Sequence, residues 1–255
     1  CRPQKNPVFK TRVCYILCEL HSSSGFAHKE GHAALTDDVV WRTTTHIMIE
    51  TKFPGLRRDV LFPTPIYMKE LQGTKELNKQ LFKDIKAWRK KDPKGVSKTN
   101  VDGWHSQTDM NHKPEYEPLM KQMFIMAEEV FKDLGYMPAV KLGNMWANIN
   151  FRHGFNMHHI HPNTVVAGVY YVQIPKDDRE SHLWVEDPRP GPNLIMPRTV
   201  DNLPRELWRV IKYPPLEGVA TLFPSWVSHG VEVNRSKLKG EKSWRVSVAF
   251  NFLQK

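Results

Sequence analysis

Cysteine is nearly absent from this chain: three residues in 255, at Cys1, Cys14 and Cys18, an odd number with no CxxC spacing. A disulfide-stapled fold is not expected from that count; free thiols in a reducing compartment such as the cytoplasm are. Long apolar runs are also missing. None approaches the roughly 20 residues needed to cross a bilayer. Val13–Cys18 is too short, is closed by Glu19 and is followed by no clean small-residue cleavage site, so neither a span nor a signal segment is expected there. There is no internal repeat and no low-complexity tract. Acidic residues are in deficit, 27 against 37 Lys and Arg, for a net charge of +10. Much of the excess lies in one segment: Lys79, Lys83, Lys86, Arg89, Lys90, Lys91, Lys94 and Lys98. No zinc knuckle, RNP-like aromatic pattern or recognition-helix motif accompanies it, so nucleic acid is not the expected partner. An anionic small-molecule substrate fits the balance as well.

What the chain does have is a core: 40% hydrophobic residues, with 8 Trp, 7 Tyr and 12 Phe, the composition of a globular protein. Residues 1–58 carry scattered His and Thr without sustained periodicity and read as a loosely structured N-terminal extension, with one strand expected near Thr45–Ile49. Residues 59–255 read as the domain. A Pro-edged strand is expected at Leu61–Tyr67. A helix capped by Thr74 follows, with Leu77, Leu81, Ile85 and Trp88 on one face and a stop at Asp92-Pro93-Lys94-Gly95. A second helix opens near Pro114, buries Leu119, Met123, Met126, Ala127, Val130, Phe131 and Leu134, and ends at Gly135.

From about Val140 the period changes to two. Strand-type runs at 165–172, 218–223 and 244–250 are separated by Pro, Gly, Asn and Asp, with one short helix expected at Pro204–Val210 behind Asn202. This is a mainly β (α+β) domain with flanking helices, of sandwich or jelly-roll barrel type.

Within the β region, His158-His159-Ile160-His161-Pro162 is answered by Ser228-His229-Gly230 and then by Arg245-Val246-Ser247. Side chains two residues apart on an extended segment share a face. His159 and His161 can therefore face one metal, and His229 from a distant strand can close the site. Arg245 lies in an apolar strand, where an unpaired guanidinium is costly and an anionic co-substrate would satisfy it. Its fork matches a carboxylate, and Ser247 on the same face can donate to that carboxylate. The pattern is that of a mononuclear metal oxygenase.

Residues 61–253 resemble the Fe(II)/2-oxoglutarate-dependent dioxygenase superfamily, in particular 2OG-Fe(II) oxygenases of phage and marine microbes. The matching stretches are Leu61–Pro65, Trp146–Asn150, His159–Thr164, Ala167–Val172, Glu186–Arg189, Leu222–Trp226, His229 and Arg245–Asn251. The resemblance implies a double-stranded β-helix (jelly-roll, cupin-like) core. It implies Fe(II), 2-oxoglutarate and O₂ as cofactor and co-substrates, His159 and His229 as iron ligands, and Arg245 on the distal carboxylate of 2-oxoglutarate, assisted by Ser247 and the Tyr170–Tyr171 pair. The activity implied is oxidation of an unactivated C–H bond, by hydroxylation, radical cyclisation or desaturation, with release of succinate and CO₂.

The chain departs from the superfamily's His-x-Asp or His-x-Glu pattern at His161. Either His161 replaces the carboxylate, or Glu186 or Asp187 completes the triad, or the third position is a water or anion and His161 is structural. Three imidazoles would also suit zinc. Of the tyrosines, Tyr171 is the one expected to face the cavity; Asn148 and Asn150 are candidates to line it. His182 is a candidate to narrow the pocket, Arg189 is either a contact for an anionic substrate or a surface loop arginine, and 189–198 reads as a long active-site loop or lid. His158 should point away, and His21, His28, His32, His46, His105, His112, His153 and His182 lack paired spacing and are not expected as ligands. The other readings are a cupin-like metal-binding module without turnover, an interaction domain that kept the barrel but lost catalysis, and a protein side-chain hydroxylase.

Overall fold

Prolines decide where the first strand begins. Pro63 and Pro65 lack the N–H that a ladder needs, and in the computed structural model the entry strand is displaced toward the C-terminus of the expected Leu61–Tyr67: β1 runs Tyr67–Glu70. The structure describes residues 55–56, 58–195 and 197–255. The strand expected near Thr45, the three cysteines and His21, His28, His32 and His46 lie outside the described residues.

Helix α1 spans Thr74–Lys91. Thr74 does not cap it; the capping position is Gly73, at φ 61°, with no side-chain hydrogen bond, and Thr74 is the first helical residue. The apolar stripe behaves as its spacing requires. Leu81 and Ile85 are buried, Leu77 and Trp88 pack at the margin, and the helix stops at Asp92. Pro114–Tyr116 is a single 3-10 turn leading into α2, Glu117–Asp133. Gly135 ends that helix at φ 71°, a left-handed conformation that glycine adopts without penalty. Met123 and Met126 are core filler. No helix of the described residues is long and apolar enough to cross a membrane.

The remaining strands are β2 (Asn100–His105), β3 (Val140–His159), β4 (Val166–Gln173), β5 (Leu183–Glu186), β6 (Val210–Tyr213), β7 (Val219–Pro224), β8 (His229–Val231) and β9 (Arg245–Gln254), with a short helix α3 at Pro190–Leu194. Asn202 caps nothing: the helix expected at 204–210 is one 3-10 turn, Arg205–Leu207, entered from Pro204. The hydrogen-bonded order is β1-β7-β4-β9-β3-β8-β5-β6, with β2 also on β3, and every strand pair is antiparallel. The sheet curls because β3, besides carrying β2, pairs first with β9 and then with β8. Val140–Asn150 pairs with β9, while Asn156 and His159 pair with β8. Between these stretches His153 takes φ 69° and the register on β2 shifts. Bulges of this kind bend a strand from one sheet toward another, and the result is a double-stranded β-helix.

Period-two alternation then sorts the strands' side chains. Along β9, Val246, Val248, Phe250 and Phe252 enter the core beneath α1 and α2, together with Met145, Ala147 and Ile149 of β3. Burial of each large apolar side chain there contributes roughly 1.5–3 kcal/mol. The opposite phase, Ser247, Ala249 and Asn251 of β9 with Asn144, Trp146 and Asn148 of β3, lines a cavity inside the barrel. The strands are buried on both faces, yet the interior face is polar. Gly168 of β4 sits where a Cβ would come within 2.5 Å of the Phe250 ring, so a side chain at 168 would displace the strand beside it.

Candidate active site

Register brings the first two histidines together. His159, the last residue of β3, lies directly opposite His229, the first of β8. His161 follows after one residue, its backbone N–H donating to Ser225 O at 3.0 Å, and Asn163 completes the turn at φ 60°. One nitrogen from each of His159, His161 and His229 lies within 4.8 Å of the others. Ring centroids are 4.3 Å apart for His159–His229, 5.0 Å for His161–His229 and 5.1 Å for His159–His161.

Each ring is oriented through its other nitrogen. His159 Nδ1 donates to Met157 O at 2.7 Å and His229 Nδ1 to Val227 O at 2.8 Å. His161 Nδ1 donates to Asn251 Oδ1 at 2.6 Å, and Asn251 Nδ2 in turn donates to Asn144 Oδ1 at 2.8 Å. An imidazole whose Nδ1 carries the proton presents an Nε2 lone pair. Burial, reinforced by the neighbouring imidazoles, pushes His159 down to about 4 and His229 to about 3; burial also lowers His161. All three rings are therefore neutral at physiological pH, the form that ligates metal. They provide a neutral three-nitrogen donor set, and iron fits it.

The carboxylates considered as a third ligand are engaged elsewhere. Glu186 is 3.2 Å from His158 Nε2, which also meets Ser228 Oγ, and His158 stacks on Trp184. Asp187 accepts a two-pronged bond from Arg189, at 2.9 Å from Nε and 2.7 Å from Nη2. The structure shows Arg189 in that pair, its side chain partly exposed. His182 does not narrow the cavity; its Nδ1 lies 3.0 Å from Glu232 Oε2, and it is not among the lining residues.

The cavity has a volume of about 340 Å³, within the range of small-molecule sites. His159, His161, His229, Asn148 and Ser247 line it. Next to it stand Arg245 and Tyr171, in register through Ser247, which pairs with both Asn148 and Tyr171 across neighbouring strands. Arg245 is 1% exposed. Its Nη1 donates to Ser181 O at 3.2 Å and Glu232 O at 3.0 Å, while its Nη2 is buried without a partner. Tyr171 Oη and Asn148 Oδ1 are likewise buried and unpartnered, whereas Tyr170 donates its hydroxyl to Asn78. Burial pushes Arg245 down to about 10 and Tyr171 up to about 12. Native interiors rarely leave such groups unsatisfied, and a guanidinium beside a neutral phenol is a fit for a carboxylate.

Among the lining residues not legible as site residues are His105, Trp146, Asn144 and Asn251. His105 stacks on Trp146 at 5.5 Å, and Trp146 lies 5.7 Å from His161. The polar phase of β3 and β9 was the available signal for Asn144 and Asn251. His105 comes from β2, which no motif tied to the cluster. Asn150, expected at the pocket, instead donates to Asn156 Oδ1 at 3.1 Å and is absent from the lining.

Residues 144–251 match the family model described as "Putative 2OG-Fe(II) oxygenase". The segment runs from Asn144 through all three histidines to Asn251. Solved structures share the fold. The carbocyclase SnoK of nogalamycin biosynthesis, described as alpha-ketoglutarate dependent, is 10% identical with a TM-score of 0.54, over 75% of this chain and 80% of that one. A Trichoplax adhaerens prolyl hydroxylase, solved with a hypoxia inducible factor peptide, is 11% identical with a TM-score of 0.53, over 74% and 83%. The epimerase SnoN, solved with Fe3+, alpha ketoglutarate and nogalamycin RO, is 12% identical with a TM-score of 0.52, over 74% and 78%. No curated protein matches the chain. Residues 144–251, less than half of the chain, are thus similar to the 2OG-Fe(II) oxygenase family, and the fold is the one shared by the solved structures named above.

Proposed function

We propose that the protein holds Fe(II) through His159, His161 and His229 and 2-oxoglutarate through Arg245, Tyr171, Ser247 and Asn148, and oxidises an unactivated C–H bond of a small anionic molecule. The observation that carries this reading is the conjunction of three converging neutral imidazoles with an orphaned buried guanidinium nitrogen and phenol beside them. A metal-binding module without turnover has no use for that second group of atoms.

The chain's own residues divide the work. Two carbonyls accept from Arg245 Nη1 in its dry strand, while Nη2, buried and without a partner, is left to meet a carboxylate. Tyr171 and Ser247 donate from the same side. Phe223 packs edge-on against His229 at 4.6 Å and excludes water from that ligand. Bound together, iron and 2-oxoglutarate would activate O₂, the four-electron oxidant: two electrons come from 2-oxoglutarate, which leaves as succinate and CO₂, and two from the substrate C–H bond. On the substrate side no Asp or Glu of the described residues lines the cavity, while Lys98 does so at its exposed edge and has no ion-pair partner among them. That charge balance selects a substrate bearing a carboxylate or similar anion.

The test is an anaerobic titration with Fe(II) followed by 2-oxoglutarate, watching for the visible charge-transfer band of an iron-bound keto acid, then succinate release under O₂. Stoichiometric iron binding without that band, in a protein that melts cooperatively, would leave the cupin-like metal-binding reading in its place.

A further inference from the structure

Two of the three candidate ligands are oriented by their own backbone, and the third is not. His159 and His229 each donate Nδ1–H to the carbonyl two residues earlier, Met157 O and Val227 O. Those acceptors are present whatever the side chains are. His161 instead reaches across 90 residues to a side chain, Asn251 Oδ1 on β9. Asn251 is 8% exposed, and its register partner on β3 is Asn144. Because Asn251 Nδ2 is spent on Asn144 Oδ1, the amide presents its oxygen, and not its nitrogen, to the imidazole.

We propose that Asn251, held by Asn144, is the positioning residue of the metal site: it fixes the tautomer and rotation of His161. The inference rests on the reading of His161 as a ligand. An amide and a carboxylate have nearly the same shape but not the same effect. A carboxylate at 251 would draw the Nδ1 proton, enrich Nε2 and cancel a unit of the metal's charge. With the amide, all three acceptors behind the ligands are neutral, Met157 O, Val227 O and Asn251 Oδ1, and no carboxylate of the described residues lines the cavity. The full positive charge of a divalent metal is then available to bound anions. The choice of asparagine at 251 thus tunes the site toward anionic ligands, at the expense of metal affinity.

The experiment is a Co(II) titration of the full chain, read by its visible absorption, followed by azide titration of the cobalt-loaded protein, with the melting temperature of the metal-free protein taken in parallel. Asn251→Leu is expected to lower Co(II) affinity roughly 10–100-fold, the usual consequence of losing an outer-shell partner. Asn251→Asp is expected to bind Co(II) as tightly as the parent or tighter, and azide roughly 10-fold more weakly. A residue that merely packs would move both affinities in the same direction. His161→Ala separates the two readings. If it loses Co(II) affinity while Asn251→Leu and Asn251→Asp keep parental affinity for both metal and azide, the positioning role is overturned and the ligand assignment stands. If His161→Ala itself keeps parental affinity and spectrum, the ligand assignment falls and the inference with it. Should Asn251→Leu fail to fold, the near-isosteric Asn251→Asp decides: unchanged cobalt and azide affinities overturn the proposal.

Discussion

The Nε2 atoms of His159 and His161 lie 3.1 Å apart although both rings have already turned Nδ1 to an acceptor, Met157 O in one case and Asn251 Oδ1 in the other. Two lone pairs face each other across a distance at which one would normally carry a proton. Burial opposes that proton, as the lowered values of both histidines show. A metal cation resolves the conflict. Metal should therefore stabilise the native state far more than the unfolded chain. At a free concentration about 100 times Kd, one site contributes about 2.7 kcal/mol, or roughly 5–10 °C in melting temperature for a domain of this size. Calorimetry with Fe(II), Co(II) or Zn(II), before and after a chelator, measures it. His229→Ala should abolish the increment; a shift of the same size in that variant would remove His229 from the site.

Tyr171→Phe should move stability and co-substrate affinity in opposite directions. The Tyr171 hydroxyl is buried with no partner, so deleting it leaves the metal-free protein unchanged or more stable by up to about 1 kcal/mol. If the hydroxyl meets 2-oxoglutarate, the same deletion weakens co-substrate binding by about 2–13-fold, the equivalent of about 0.5–1.5 kcal/mol. Paired melting curves and 2-oxoglutarate titrations decide; lower stability with unchanged affinity would make Tyr171 a packing residue.

Arg245→Lys keeps a charge in the strand but removes the fork. The two carbonyls that now accept from Nη1 would compete with the co-substrate for a single ammonium. The affinity for 2-oxoglutarate should fall by about 10–100-fold, the equivalent of losing about 1.5–3 kcal/mol in hydrogen bonds to a charged group, with metal affinity retained. Isothermal titration of each ligand separates these effects. An unaltered response to 2-oxoglutarate would sink the role assigned to Arg245. Lys is the better probe than Ala, which would also leave Ser181 O and Glu232 O without their donor.

The residues that could be read in the sequence were those whose neighbours are local. His159 and His161 share a face by period two, and Arg245 stands out as a charge in an apolar strand. Helix α1 followed the spacing of Leu81 and Ile85, and its stop followed Asp92-Pro93. What escaped depends on long-range register. Asn251 is an ordinary strand residue until β9 is laid beside β3, which places it next to Asn144 and within reach of His161. His105 reaches the cavity only because β2 pairs with β3 after a shifted register. What was misread or left open has the same origin. Thr74 had the chemistry of a cap, but the tight turn before α1 gave that position to Gly73. Arg189 could be read either way because sequence does not show that its own neighbour, Asp187, folds back to meet it.

That Asp187–Arg189 pair makes a pH-dependent prediction. The Arg189 hydrogen bond holds the Asp187 carboxyl below its ordinary value of 3.8, against the opposing effect of partial burial. A carboxyl with a depressed folded-state value contributes stability that is fully present above its unfolded value and disappears as the pH falls through the folded one. Arg189→Gln should therefore destabilise the protein at neutral pH, and the gap between variant and parent should narrow below about pH 4. The Arg189 side chain is 43% exposed, so solvent screening keeps the cost to at most about 1 kcal/mol, some 2–4 °C in melting temperature. Melting curves from pH 7 to 3 provide the check. An identical gap at every pH would mean that Arg189 stabilises its loop by packing alone; no gap at all would free Arg189 for the contact with an anionic substrate that its sequence position left open.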